Sequence, residues 1–306
     1  AVFSYELDWL LNPGLHGNIA IENLDWQRAY DVFQEEFPRS EIIEINAPLK
    51  EGYAMDGWGV HPDKGRFMFY IDPVTYKLTQ ETTYFNVQRF FRSFHMSLFE
   101  ADYFSVLGVS IGYFIVGVLG FVLLASAVTG FLFYKKWRTG FFKLNFKKGP
   151  RILWSDFHKL TGLWSLWFAL LIGGTGAWYL LEWWVPEPRY TDTSTLPIVD
   201  SNSYIPINQL IITANQAFAE LKVQRISFFD FNRGRLTFEG DDGSVLVRKR
   251  SAFITLDAIS GNVIVKQKPS DLSLYVRWWE TVDILHFGKF AGLWSKWLYF
   301  IFGLAL

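Results

Sequence analysis

Cysteine is absent from all 306 residues. That excludes disulfides, thiolate-held zinc and iron–sulfur clusters, and the Cys-x-x-Cys-His attachment of c-type haem. Histidine is scarce, so any metal or haem must draw its imidazoles from His16, His61, His95, His158 and His286. No Gly-x-Gly-x-x-Gly follows a strand pattern, and there is no Walker-type loop and no His-Glu-x-x-His. Standard nicotinamide, ATP and zinc-protease sites are therefore excluded. The net charge of −1 hides a division, and the one strongly basic stretch, residues 135–159, indicates topology and does not suggest nucleic-acid binding. What is abundant is apolar: 50% of the residues are hydrophobic and 19% aromatic, more than an ordinary soluble chain carries.

The apolar residues are concentrated. Residues 160–181 contain no charge over 22 positions, enough at ~1.5 Å per residue to cross a hydrocarbon core of ~30 Å. Residues 103–134 are also free of charge and predict a second, tilted span. Between them, residues 135–151 hold seven Lys/Arg and no acid, the composition of a loop retained on the cytoplasmic side. Span 158–184 is thus expected to run from inside to outside, and the preceding one from outside to inside. Gly108 and Gly112 form a GxxxG, with Gly117, Gly120 and Gly130 beyond it, and these small positions suit close helix packing or a flat ligand. The chain ends on ten uncharged residues after Lys296, ~15 Å of helix, so a truncated third span is expected there.

The remaining sequence predicts two α+β regions. In the first, residues 23–37 have helical spacing, and 41–47, 53–60 and 66–72 read as strands. In the second, 207–221 is helical in pattern and 225–231, 234–239, 244–250 and 252–256 read as strands, with Asp242-Gly243 a tight-hairpin signal. Asp241 and Asp242 are expected in a solvated turn, and Arg248-Lys249-Arg250 as exposed strand charge. Placing Asp72 over Asp257 aligns FYIDPVTYKLTQ (69–80) with ITLDAISGNVIV (254–265), an internal repeat. Each copy then leads through a histidine, His95 or His286, into a span, so the two histidines occupy equivalent places.

The segments ITLDAISGNVI (254–264), HKLTGLW (158–164) and LHFGKFAGLW (285–294), together with the order soluble module, span, basic loop, span, soluble module, span, resemble the PepSY-associated transmembrane proteins. That family includes inner-membrane ferric-siderophore reductases of bacteria. The resemblance implies an α+β membrane protein: a transmembrane helical bundle with three spans visible, a fourth N-terminal span expected to be missing, and two PepSY-like modules on the outer side. The implied divisions are 1–95 (first module), 96–134 (span), 135–157 (basic cytoplasmic loop), 158–184 (span), 185–285 (second module) and 286–306 (span). The modules are expected in the periplasm and the spans in the bacterial inner membrane.

A bis-histidine iron has no open position and suits electron transfer. His95 and His286 are expected to be the axial ligands of an outer haem b, and His158 to hold an inner haem with a partner outside this sequence. Arg92 and Lys289, each three residues from one of the outer histidines, are candidate partners of haem propionates or of lipid head groups. His16 and His61 are expected on exposed loops, outside any ligand set. Trp183, Trp184, Trp278 and Trp279 read as an aromatic belt or as a platform for a bulky ligand.

The functional expectation is a haem-b oxidoreductase serving iron uptake. It would pass electrons from a quinol or a cytoplasmic reductase to a ferric siderophore or other ferric chelate. The alternative is a non-catalytic accessory or assembly subunit of a larger respiratory membrane complex, binding proteins through its PepSY-like modules. A third possibility is regulation of a protease by the outer modules.

Overall fold

The computed structural model describes residues 2–19, 24–99, 105–142, 144–186 and 204–306. They fall in two compact units, one of Ser4–Phe90 with Arg189–Thr281 and the other of Ala1–Phe3, Phe91–Pro188 and Val282–Leu306.

The first unit is a sheet covered by helices. In chain order it contains α1 (Ser4–Leu11), α2 (Trp26–Glu36), β1 (Glu41–Asn46), β2 (Met55–His61), β3 (Gly65–Ile71) and β4 (Leu78–Thr83). Two longer-range elements follow β4 and leave this unit: α3 (Val87–Ser97), and later in the chain α9 (Leu274–His286). The second half supplies α8 (Ile207–Ala217), β7 (Lys222–Ser227), β8 (Arg235–Asp241), β9 (Ala252–Asp257) and β10 (Val263–Gln267). All eight strands form one sheet in the order β10-β9-β8-β7-β1-β2-β3-β4. Each half is a four-stranded meander behind one helix. They join at their first strands, antiparallel, with Glu44 opposite Ser227 and Asn46 opposite Arg225, so two edges that would otherwise expose unpaired backbone are paired with each other.

Helix α2 begins where the Asp25 carboxylate accepts from Arg28 N at 3.0 Å, an N-cap. It buries Trp26, Ala29, Val32 and Phe33, while α8 buries Ile207, Leu210 and Ala214. Both helices rest on one core with Ile45, Phe69, Ile226 and Phe238, and burying each such side chain contributes ~2 kcal/mol. The helix starts are tied together by the Gln27 side chain, which accepts from Ile207 N at 2.6 Å.

The repeat extends to the hydrogen bonds of its turns. After β3, Asp72 Oδ1 accepts from Val74 N and Thr75 N at 3.0 and 2.8 Å. After β9, Asp257 Oδ1 accepts from Ile259 N and Ser260 N, both at 2.8 Å. Tyr76 N and Gly261 N then return to the Asp72 and Asp257 carbonyls at 2.9 Å each, and both residues are left-handed, φ 51° and 74°. A carboxylate that organises its own turn this way is a local device, which is why it survives in both copies. Burial opposes ionisation of Asp72, but N–H donors from Thr75, Asn18 and Val74 outweigh it and hold the carboxyl at about 2.

Two expectations for the second half are corrected. Residues 244–250 form no strand, and the Asp242-Gly243 turn does not close a tight hairpin: β8 pairs directly with β9, Gly240 opposite Ala252, and the chain between makes an excursion. Asp241 and Asp242 do cap their own turn, accepting from Gly243 N and Ser244 N at 2.9 and 3.0 Å. Arg248 is not exposed strand charge either. Its guanidinium grips the Glu280 carboxylate of α9 at two points, 2.6 and 2.7 Å, and Glu280 is only 3% exposed.

Across the join, on the face away from α2 and α8, runs a row of charges. Arg225 donates to Glu44 at 3.2 Å and to Glu239 at 2.8 Å, and Asn46 donates to Glu44 at 3.1 Å and to Asp56 at 3.3 Å. Two carboxylates thus share one guanidinium, and Asp56 joins the row through Asn46. Burial, then the nearby Glu44, pushes Asp56 up to about 7.

The second unit holds the two-residue strands β5 (Ser105–Val106) and β6 (Val109–Ser110), then α4 (Ile111–Phe133), α5 (Trp137–Gly140), α6 (Pro150–Trp164), α7 (Leu166–Leu181) and α10 (Gly292–Ala305). Among the described residues α4 is the helix long and apolar enough by itself to cross a membrane. Its span therefore starts at Ile111, later than the charge-free run predicts. Gly108 lies in the β5–β6 turn with φ 82° and takes no part in helix packing; residues 103 and 104 lie outside the described residues. Gly117, Gly120 and Gly173 instead bring α4 against α7. A Cβ on Gly120 would stand 2.8 Å from Ala177 N, and one on Gly173 2.9 Å from Leu124 N. Of the two uses for small residues, close packing is the one found at these positions. On α4, Leu119, Val122, Leu132 and Phe133 are more than half exposed, an apolar surface that water does not favour.

The central apolar stretch is not one straight helix. It breaks at Ser165, where α6 and the following segment meet at 57°. The buried Ser165 hydroxyl donates to Thr161 O at 2.5 Å, a back-bond of the kind that bends helices.

A histidine pair as candidate functional site

Of the five histidines, the fold brings two together. The rings of His95 and His286 lie with centroids 5.9 Å apart and planes 35° from parallel. Each sits in the last turn of a short helix, α3 or α9, and neither helix continues into the span that follows. Helix α3 stops where Leu98 and Phe99 turn left-handed, φ 54° and 63°. Helix α9 stops just before Gly288, φ 63°, with Lys289 N returning to Ile284 O at 3.0 Å; such left-handed residues end helices. The start of α3 is fixed by Asp8, whose two carboxylate oxygens accept from Val87 N and Gln88 N at 2.7 and 2.9 Å. Asp8 is 3% exposed, and burial raises its carboxyl above the usual range against the pull of those N–H groups.

His286 is held by α7. Its Nδ1 lies 2.9 Å from Thr175 Oγ1. The single hydroxyl hydrogen of Thr175 is directed at Leu171 O, 2.7 Å away, so the hydroxyl accepts from an Nδ1–H and leaves Nε2 with its lone pair. Tyr179 crosses the ring edge-on at 5.0 Å and donates its own hydroxyl to Asp283 at 2.6 Å. Gly176 lies beside the ring: a Cβ there would stand in ordinary contact with His286 Cε1, at 4.0 Å. A ligating histidine whose other nitrogen is engaged in this way has a fixed tautomer and orientation.

Two imidazoles bonded to one iron at ~2 Å each stand ~6 Å apart between centroids, close to the separation here. Among the described residues no group of three or more His, Asp or Glu could hold a metal ion. The donor set is a pair of imidazoles, which fits the two axial positions of a haem better than a cage for a free ion.

The other expected site residues are placed differently. His158 is exposed on α6, and among the described residues its ring has no hydrogen-bond or ring partner. Arg92 is exposed one turn before His95 and directs Nε to Met96 Sδ at 3.2 Å. Lys289 lies past the end of α9, over the Phe287 ring at 5.3 Å, so it does not share a helix face with His286. His16 lies against the Trp9 ring, centroids 4.3 Å apart and planes tilted by 38°, and bonds Trp9 O at 2.7 Å. His61 is half-buried, and its Nδ1 accepts from Asp63 N and Lys64 N at 3.1 and 3.2 Å. Trp183 meets Tyr113 edge-on at 5.6 Å, and Trp184 donates to Leu107 O at 3.2 Å. Thr175, Tyr179 and Asp283 escape sequence reasoning. The one available signal is the run Gly173-Gly174-Thr175-Gly176, a hydroxyl among glycines in an apolar helix.

An α+β chain with an apolar, lipid-suited helix and a paired-imidazole site defines the class. The model of the PepSY-associated TM region family matches residues 1–306. The chain belongs to that family and is a membrane protein. No curated protein matches it.

Proposed function

We propose that this chain is a haem-b electron-transfer protein of the bacterial inner membrane that reduces a ferric chelate on the periplasmic side. The observation that carries the reading is the His95–His286 pair at 5.9 Å, with His286 Nδ1 tied to Thr175. His95 and His286 would be the axial ligands. Bound haem supplies one-electron transfer without an open position for oxygen. Thr175 fixes the tautomer that offers Nε2, and Tyr179 with Asp283 keeps the ring from rotating. Addition of one electron converts ferric to ferrous iron, which hard oxygen ligands hold more weakly, so the metal is released.

Topology follows from charge. The basic segment 135–151 is cytoplasmic by the positive-inside rule. Helix α4, the bent pair α6–α7 and α10 make up the membrane bundle, and the sheet unit is periplasmic. His158 belongs to the cytoplasmic side and would be a ligand of an inner haem there. A quinol or a cytoplasmic reductase would donate the electrons.

The test is a reduced-minus-oxidised spectrum with haem quantification on the full-length protein. His95→Ala and His286→Ala should each remove the same haem, and His158→Ala should leave that one intact. A colourless wild-type protein, expressed with ample haem, would sink the proposal and favour the accessory-subunit reading.

A further inference from the structure

Within the sheet unit, on the face away from α2 and α8, two arginines gather around two aromatic rings. Arg66 on β3 lies over Trp58 of β2 at 5.4 Å and over Tyr84 at 5.7 Å. Arg89, in the first turn of α3, lies over the other part of the same group, 4.2 Å from the Tyr84 centroid. Trp58 and Tyr84 are themselves in contact at 5.3 Å.

Neither guanidinium has a carboxylate partner among the described residues. This is unusual for its surroundings, because residues 1–102 hold 16 Asp/Glu against 8 Lys/Arg. Of the acids on this face, Glu44, directly opposite Trp58, pairs with Arg225, and Asp56, two residues before Trp58 on β2, accepts from Asn46. Two like charges sharing the Tyr84 ring repel each other, and the exposed cation–π contacts return only ~0.5–1 kcal/mol each. Trp58, Tyr84 and Arg89 are half-buried, whereas Arg66 is exposed. The cluster is thus a partly desolvated positive platform with planar groups on every side, open toward solvent at Arg66.

We infer that Trp58, Arg66, Tyr84 and Arg89 form a binding site for a flat, anionic aryl ligand. A planar guanidinium stacks on aryl rings and pairs with oxyanions, which an ammonium does less well. Metal-bound catecholate has both features, since it is a flat ring carrying two anionic oxygens. Each blade of a trianionic tris-catecholate complex offers both the ring and the charge, and a neutral tris-hydroxamate complex of the same metal offers neither. The inference rests on the electron-transfer reading only in taking the ligand to be a metal chelate.

The experiment uses gallium(III) tris-catecholate, which has no accessible reduced state, titrated into the detergent-solubilised full chain with affinity measured calorimetrically. Expected is binding that weakens about tenfold in Arg66→Ala or Arg89→Ala, falls with added salt, and is only partly restored by Lys at either position. The neutral gallium tris-hydroxamate should bind at least about tenfold more weakly than the tris-catecholate. The Arg→Lys variants keep the charge and serve as folding controls, checked by far-UV circular dichroism. Equal affinity for the two complexes, or an Arg66→Ala/Arg89→Ala protein that binds the tris-catecholate like wild type, would overturn the site. Because no reduction is involved, a protein that binds the complex yet carries no haem refutes the electron-transfer proposal and leaves this one standing.

Discussion

Asp56→Asn should stabilise the sheet unit at pH 8 and change nothing below pH 4. Asp56 faces Glu44, with Asn46 as its donor and Arg225 further along the row. Folding raises its carboxyl from the ordinary 3.8 to about 7, chiefly by burial. A group raised in this way binds its proton more tightly in the folded state. Its favourable contribution is therefore complete below ~4 and is lost as pH rises through ~7. At ~1.4 kcal/mol for each tenfold in proton affinity the cost of ionising it is ~4 kcal/mol at most, and solvent access to the half-buried side chain reduces this to ~2 kcal/mol. Asparagine keeps an oxygen to accept from Asn46 and has no proton to lose. For a unit of this size ~2 kcal/mol corresponds to ~4–8 °C in midpoint. The assay is thermal unfolding of the detergent-solubilised protein, followed by the β-sheet dichroism signal at pH 4, 6 and 8. Wild type should lose midpoint across that range while Asp56→Asn stays flatter. Parallel profiles, or a variant less stable at pH 8, would refute the argument.

Arg248→Ala leaves the Glu280 carboxylate buried without its two-point partner and should cost ~3 kcal/mol, seen as faster hydrogen exchange in α9; adding Glu280→Gln should recover part of it, and an unchanged exchange rate would show the pair to be dispensable. Gly120→Val places a side chain against the α7 backbone and should destabilise the helical unit by ~1–3 kcal/mol. Gly130→Val, where a Cβ meets nothing within 4 Å, is the matched control; equal melting of the two variants would contradict the close contact.

Parts of this fold are legible in the sequence. The Asp72 and Asp257 turns were readable because each carboxylate bonds donors two and three residues ahead, so the signal is local. The helices α2 and α8 announced themselves by apolar spacing, and the histidine equivalence by the repeat. The Ser165 break was not readable, since a serine in an apolar run carries no fixed consequence until its hydroxyl takes a partner. The strand expected at 244–250 failed because alternation there is set by contacts with α9, above all Arg248 with Glu280, and not by a neighbouring strand.

By itself the sequence determined which residues are available and where each helix, strand and turn can form: cysteine-free, histidine-poor, with its positive charge gathered in one loop. Tertiary structure decided what those residues meet. Glu44 joins Arg225, and Thr175 joins His286, across 181 and 111 positions of chain. No periodicity or local propensity encodes such a pairing; it exists only once a common core has fixed the register of β1 on β7 and glycine-lined helices have brought α7 within reach of the imidazole.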